Sequence, residues 1–183
     1  MRLVLSVLAL TAFAFAASAQ ETTEPLQEPP AGETPMTIER LVSIIFAVDP
    51  EARLNGITME LTIDDIPIMV IADPVANRMR AMVPIRSAAG LSLEELMRVM
   101  QANFDSALDA RYAVAQGRLW ATYIHPLCAL EREQFLSALI QTVNIARTYG
   151  QTYSGGALTF GGGDSNGIYE ELLRDLLDKG EAL

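Results

Sequence analysis

The chain has 183 residues, half of them hydrophobic, and its formal net charge at pH 7 is -10. A negative charge of this size repels DNA, RNA and anionic lipid headgroups, which excludes them as ordinary partners. The only cysteine, Cys128, excludes an intramolecular disulfide, so the core must be stable without one. The apolar content is ample for one domain of ordinary size.

Residues 1–19 have the three parts of a secretory signal peptide. Arg2 precedes an apolar run, and the small residues Ala17 and Ala19 precede Gln20. The run is too short for a membrane span, which needs about 20 apolar residues. We therefore predict cleavage after Ala19 and a mature protein that is periplasmic or secreted, with no membrane association after cleavage.

The mature chain is predicted to begin with a tether at residues 20–35, followed by one folded domain at residues 36–150. The tether carries four prolines and four glutamates. Such a segment cannot bury enough apolar surface to offset the entropy of ordering it, so we expect it to be disordered. In the domain, Thr37 is the predicted cap of a first helix, which Asp49-Pro50 ends.

Three short β-rich segments follow the first helix, at residues 57–63, 66–71 and 78–85. Asp64-Asp65 predicts a tight reversal between the first two. Ser92 and Glu95 then form a capping box, which predicts the start of a second helix. The apolar stripe of that helix consists of Leu93, Leu96, Met97 and Met100, and the helix is predicted to end near Phe104.

A hairpin around Gln116-Gly117 and a third helix at about residues 129–149 complete the predicted domain. The element order predicts an α+β fold, with an antiparallel five-stranded sheet and helices in the order α-β-β-β-α-β-β-α. Residues 151–167 form a predicted glycine-rich linker, and residues 168–183 form a short amphipathic C-terminal helix. Because so short a helix is marginal alone in water, we expect it to dock on an apolar patch of its own domain.

No pattern in the sequence predicts a catalytic residue, a bound cofactor or a metal ion. His125 has no carboxylate or cysteine at ligand spacing, which favours a structural role. The glycines match neither the P-loop nor the G-x-G-x-x-G motif, and residues 164–167 lack the later ligands of a calcium loop. The three pairs of adjacent carboxylates have structural explanations. Asp64-Asp65 is typical of a turn, and Glu94-Glu95 and Glu170-Glu171 are typical of helix N-termini.

Four stretches, followed by the long third helix, resemble the YbjN family. They are Asn103-Phe104, Ala110-Arg111-Tyr112, Gln116-Gly117-Arg118-Leu119-Trp120 and Ile124-His125-Pro126-Leu127. The resemblance covers about residues 37–150 and implies the fold of type III secretion chaperones. Those chaperones are small acidic homodimers that hold an extended partner segment across apolar surface patches. The resemblance therefore implies a polypeptide partner, leaves a homodimer open and implies no catalytic residue. The signal peptide departs from these chaperones, which work in the cytoplasm.

These observations predict a non-enzymatic exported binding protein, chaperone-like, that engages a polypeptide through a sheet face or a groove beside a helix. Trp120 is predicted to be largely buried in its hairpin, with partner binding as the alternative. The candidate partner-binding residues are Trp120, Leu172, Leu173 and Leu176. Two other functions stay open: a small-ligand sensor, and an enzyme with a site assembled around Asp73, Tyr123 and His125.

Overall fold

A computed structural model describes residues 33–154 and 174–179. The predictions for the signal peptide, for most of the tether and linker, and for Leu172 and Leu173 lie outside the described residues. None of the helices within the described ranges is long and apolar enough to cross a membrane. The elements are α1 (Ile38–Val48), β1 (Arg53–Asn55), β2 (Thr58–Ile63), β3 (Ile66–Asp73), β4 (Arg78–Ser87), α2 (Leu93–Asp105), β5 (Arg111–Ala115), β6 (Arg118–Pro126) and α3 (Arg132–Arg147).

The strands form one antiparallel sheet in the order β1-β2-β3-β4-β6-β5. The prediction of an α+β domain with an antiparallel sheet is confirmed, but the described sheet has six strands and not five. The strand that the sequence missed is β1, whose three residues are all exposed. Without a buried side, β1 carries no alternating pattern, and only the turn at Gly56, with φ +63°, sets its pairing with β2.

Local sequence signals explain most of the other boundaries. The predicted capping box at α2 is present, since the Ser92 hydroxyl accepts from the Glu95 N–H at 3.1 Å and the Glu95 carboxylate accepts from the Ser92 N–H at 2.9 Å. The reversal between β2 and β3 has positive φ at both Asp64 and Asp65, 49° and 63°. This is the backbone of a type I′ hairpin, whose twist matches that of the strands it joins.

One face of the sheet is covered by helices and forms the core. α3 packs across β4 and β6, while α1 contacts β2. Every residue of α3 from Phe135 to Ile145 except Ser137 is buried, so this helix is the centre of the domain. The strand residues beneath the helices are Met59, Leu61, Ile63, Ile68, Val70, Ala72, Met79, Ala81, Val83, Tyr112, Leu119, Ala121 and Tyr123.

The other face of the sheet has no described element packed on it. Successive strand residues point to opposite faces, so this open face is made of the residues that alternate with the core positions. The cross-strand register places Met69, Met82 and Thr122 side by side on it. Trp120 also lies on the open face, where it is half-buried.

At each outer edge of the sheet, a polar side chain hydrogen-bonds to backbone groups that no strand pairs. At the β5 edge, the Asn103 amide bonds to both backbone groups of Tyr112. At the other end, the Asp49 carboxylate accepts from the N–H of Thr62 at 2.8 Å, beyond the last residue that β1 pairs. An unpaired edge is a template for strand addition, and these two contacts block it at the positions where they bind.

Candidate functional site: an exposed apolar face on α2

The second helix turns a row of large apolar side chains to solvent. Leu93, Met97, Met100 and Phe104 are between 61% and 91% exposed. Their spacing of four, three and four residues places them along one side of the helix, which we call the α2 stripe. Leu93, Met97 and Met100 belong to the apolar stripe that the sequence predicts for this helix, and the structure places all three on its solvent side.

The α2 stripe faces outward because a different side of the helix is anchored. Val99 and Ala102 are the buried residues of α2. Asn103 fixes the helix along the outer edge of β5 through Tyr112, with its Oδ1 accepting at 2.7 Å and its Nδ2 donating at 3.0 Å. These contacts set the rotation of the helix about its axis, so the stripe cannot turn inward without breaking them.

A cluster of tyrosines supports the inner side of α2. The rings of Tyr112, Tyr149 and Tyr153 meet edge to face, with centroids 5.6 to 6.2 Å apart. The guanidinium of Arg98 lies 4.5 Å from the centroid of the Tyr153 ring, which joins α2 to the chain after α3. The Tyr112 hydroxyl donates to the carbonyl of Ile145 at 2.9 Å. Burial raises the pKa of the Tyr112 phenol above its ordinary value, so this phenol stays protonated at physiological pH.

A groove of about 650 Å³ runs beside the α2 stripe. Met97 and Met100 form its apolar side, and Arg98 and Tyr153 also line it. Glu94 and Glu95 stand at the N-terminal end of the groove, and the N–H of Ser92 lowers the pKa of the Glu95 carboxyl. Methionine side chains adapt their shape to many partners, so this groove suits an apolar segment more than a rigid small molecule.

The structure separates the partner-binding residues that the sequence proposed. Trp120 lies on the open face, where its Nε1 donates to the carbonyl of Ala115 at 3.0 Å. Leu176 is only 2% exposed and belongs to the core. The next residue, Leu177, accepts a hydrogen bond through its carbonyl from the Arg132 guanidinium at 3.3 Å. Residues 174–179 therefore pack on the helix-covered side, remote from Trp120.

The three residues of the enzyme hypothesis do not converge. The Asp73 carboxylate accepts from the N–H groups of Val75 and Ala76, both at 2.9 Å, and so is used in a turn. The rings of Tyr123 and His125 stack 6.1 Å apart on the opposite face of the sheet. Burial, with a smaller contribution from Asp109, raises the pKa of Tyr123 to about 12, which keeps this phenol protonated.

Within residues 33–154 and 174–179, no group of three or more His, Cys, Asp or Glu side chains is placed to hold a metal ion. The prediction of no metal or cofactor, made from the sequence, stays a prediction for the whole chain.

The sequence contained one signal that could have identified the α2 stripe. The helix has two apolar sides, since Leu96, Val99 and Ala102 form a second one. Only one of the two can pack on a small sheet, so an exposed apolar face was implied. Phe104, which the sequence pattern places at the end of the helix, is the most exposed member of the stripe.

Comparisons with known proteins find similarity in structure but not in sequence. No family model matches the chain, and no curated protein matches it in sequence. One solved structure with a similar arrangement is the Yersinia pestis type III secretion chaperone SycH in complex with a stable fragment of YscM2. It has a TM-score of 0.45 and 18% identity, over 59% of this chain and 98% of that chain.

A second solved structure is that of the HopA1-SchA chaperone-effector complex, with a TM-score of 0.41 and 12% identity. The match covers 59% of this chain and 95% of that chain. Both TM-scores lie below 0.5, so the architecture described above rests on this chain's own strand pairing and burial. What either complex binds is a property of that complex.

Proposed function

We propose that this protein is a non-enzymatic, exported, chaperone-like protein that binds an apolar polypeptide segment along the α2 stripe. The observation that supports the proposal is the exposure of four large apolar side chains on one side of one helix. Exposed apolar residues scattered singly are normal, whereas a contiguous row indicates an interaction surface. The other exposed large apolar side chains are spread over several separate elements and loops.

The groove beside the stripe can bury apolar side chains of the partner. Full burial of a leucine, methionine or phenylalanine side chain contributes about 1.5–3 kcal/mol. Much of the free energy gained by burying the four side chains of the stripe is offset by the entropy lost on association and on ordering the partner. The net affinity therefore depends on the two methionines adapting to the segment that the groove receives.

A second copy of the chain is the competing occupant of the α2 stripe. Leu93 and Phe104 lie at opposite ends of the helix, so two antiparallel copies could pack end against end. Light scattering at increasing concentration distinguishes the two occupants. A monomer that binds an unfolded client supports the polypeptide proposal, and a stable dimer that binds none contradicts it.

The decisive experiment measures how well the purified protein keeps a heat-unfolded client protein from aggregating. Met97→Glu and Phe104→Glu place a charge in the stripe and should abolish protection without changing the fold. Val75→Glu is the matched control, because Val75 is 95% exposed but lies in the turn between β3 and β4. Equal loss in all three variants, or in none, would contradict a role for the stripe.

Export is a separate part of the proposal and has its own test. The mature N-terminus should be Gln20, which mass spectrometry of the exported protein would detect. An N-terminus at Met1 would exclude signal-peptide cleavage. Membership of the YbjN family also stays a prediction, since no family model matches the chain.

The small-ligand sensor is the alternative function, and one cavity provides a place for a ligand. It measures about 580 Å³ at the corner of β1 and β2, and Glu51, Glu60 and Met69 are among its lining residues. Ligand-induced stabilisation in a thermal-shift screen would favour this function.

A further inference from the structure

On β4, β6 and β5, the open face of the sheet carries positive charge, although the protein as a whole is acidic. On β4, β6 and β5, the open-face positions hold four arginines, namely Arg78, Arg80, Arg111 and Arg118. The same positions on these three strands hold no aspartate or glutamate. Because the whole chain has a net charge of -10, this local reversal of sign is opposite to what composition predicts.

These four arginines are not used in ion pairs within the described parts of the chain. The ion pairs there join Arg40 to Glu33, Arg86 to Glu95, Arg147 to Asp64, and Lys179 to Asp175. Arg78 and Arg111 each donate to the carbonyl of the residue before them, and Arg118 lies 5.9 Å from the centroid of the Trp120 ring. An arginine has five donors, so each guanidinium keeps capacity for a carboxylate.

Apolar side chains lie between the arginines in the cross-strand register. Arg80 is opposite Ile124, and Pro84 is opposite Trp120. Met82 is opposite Thr122, which in turn is opposite Arg111. Side chains opposite one another in a sheet are close enough to contact the same ligand. The arginines and these apolar residues therefore make one mixed surface, which we call the arginine face.

We propose that the arginine face binds an acidic polypeptide segment in an extended conformation. Carboxylates on one side of such a segment can form bidentate hydrogen bonds with the guanidinium groups. Its apolar side chains can cover Met82, Trp120 and Ile124. This surface is on the opposite side of the sheet from α3 and is separate from the α2 stripe.

The arrangement favours a polypeptide over a nucleic acid. Trp120 is the only aromatic residue at the open-face strand positions, whereas proteins that bind single strands use several aromatic platforms. A long polyanion would also extend beyond the four arginines onto acidic surface, which repels it. The open-face carboxylate beside these arginines is Asp73 on β3, opposite Arg78, and it already accepts from the N–H groups of Val75 and Ala76. A short acidic segment over β4, β6 and β5 therefore meets mainly positive charge.

Fluorescence anisotropy with a labelled peptide of glutamate, leucine and threonine tests the proposal on the full mature chain. Arg80→Gln combined with Arg118→Gln should weaken binding about tenfold, since each exposed charge pair contributes only about threefold in affinity. Arg78→Gln combined with Arg111→Gln should have a similar effect. Arg53→Gln is the matched control: this arginine points to the same face but lies on β1 opposite Glu60, and its loss should change affinity less than about twofold.

Three results would overturn the proposal. The first is equal affinity of the wild type and both double variants, with unchanged urea denaturation showing that all are folded. The second is equal binding of a peptide with lysine in place of glutamate. The third is arginine-dependent binding of a single-stranded oligonucleotide, or of phosphatidylglycerol vesicles, as tight as that of the acidic peptide.

Met97→Glu separates this proposal from the function of the α2 stripe. It should leave binding of the acidic peptide unchanged even where it abolishes protection of an unfolded client. Loss of acidic-peptide binding in Met97→Glu would instead assign the peptide to the stripe and overturn the proposal.

Discussion

The side chain of Asn103 pairs with both backbone groups of Tyr112, as a neighbouring strand would. Its Oδ1 accepts from the Tyr112 N–H at 2.7 Å, and its Nδ2 donates to the Tyr112 carbonyl at 3.0 Å. One residue of α2 thereby closes the edge of β5 and fixes the rotation of the helix. The consequence is that a partner meets the apolar side chains of α2 at this end of the molecule, because strand addition at Tyr112 is blocked.

Replacing Asn103 by leucine should destabilise the domain and open the β5 edge. Two hydrogen bonds are lost and the polar groups of Tyr112 are left without partners, which costs about 1–3 kcal/mol for each group that stays buried. Urea denaturation measures the free energy of unfolding, and light scattering measures the self-association expected of an open edge. Gln101→Ala, on the exposed side of the same helix, should change neither quantity.

Substitutions on the two sides of α2 should have opposite effects on stability and binding. Val99 is 4% exposed, so Val99→Ala should lower the free energy of unfolding by about 1–3 kcal/mol. Met100 is 61% exposed, so Met100→Ala should change it by less than about 0.5 kcal/mol. Met100→Ala should instead reduce the binding of a hydrophobic dye. A larger loss of stability at Met100 than at Val99 would contradict the orientation of the helix.

The burial of Tyr123 predicts a loss of stability at high pH. Its pKa is about 12 in the folded protein against 10.0 in the reference state, so between these values the unfolded chain releases a proton that the folded chain retains. Stability is therefore fully present below about pH 10 and falls as the pH rises towards 12.

Tyr123→Phe should flatten this pH dependence in urea titrations. Tyr112, whose pKa is also raised by burial, should retain part of the slope. Thr122→Val, which changes the neighbouring residue on the other face, should keep the wild-type slope. A slope that is identical in Tyr123→Phe and the wild type would show that this phenol titrates normally.

Leu176 should hold residues 174–179 against the domain. Leu176→Ser removes a side chain that is 2% exposed, so the helical turn formed by residues 174–179 should detach and uncover the apolar surface beneath it. An increase in hydrophobic-dye fluorescence and faster amide exchange at residues 174–179 would report the detachment. Asp178→Ser, at an exposed position of the same turn, should behave as the wild type.

Local chemistry allowed much of the architecture to be predicted. The Ser92–Glu95 box and the Asp64-Asp65 reversal depend on contacts within a few residues, and both are where the sequence indicates. The strand β1 could not be predicted in this way, because its pairing with β2 is supported by no buried side chain of its own.

The candidate site was only partly accessible from sequence. Trp120 and Leu176 were chosen for their apolar character, yet one lies on the open face and the other in the core. Their apolar side chains indicated that each one packs against something. Whether each is buried in the core or lies on the open face depends on residues far away in the chain. Most of the α2 stripe is visible in the sequence as a set of apolar residues, but its exposure to solvent is not.

The sequence by itself determined where the helices and all strands but β1 form, since capping, turns and hydrophobic periodicity act over short distances. It also determined the overall charge. Only the tertiary structure decided which apolar side of α2 faces solvent, because that depends on the pairing of Asn103 with Tyr112 on another element. It likewise decided that arginines from three strands share one surface, since the sheet order β4-β6-β5 brings together residues that are distant in the chain.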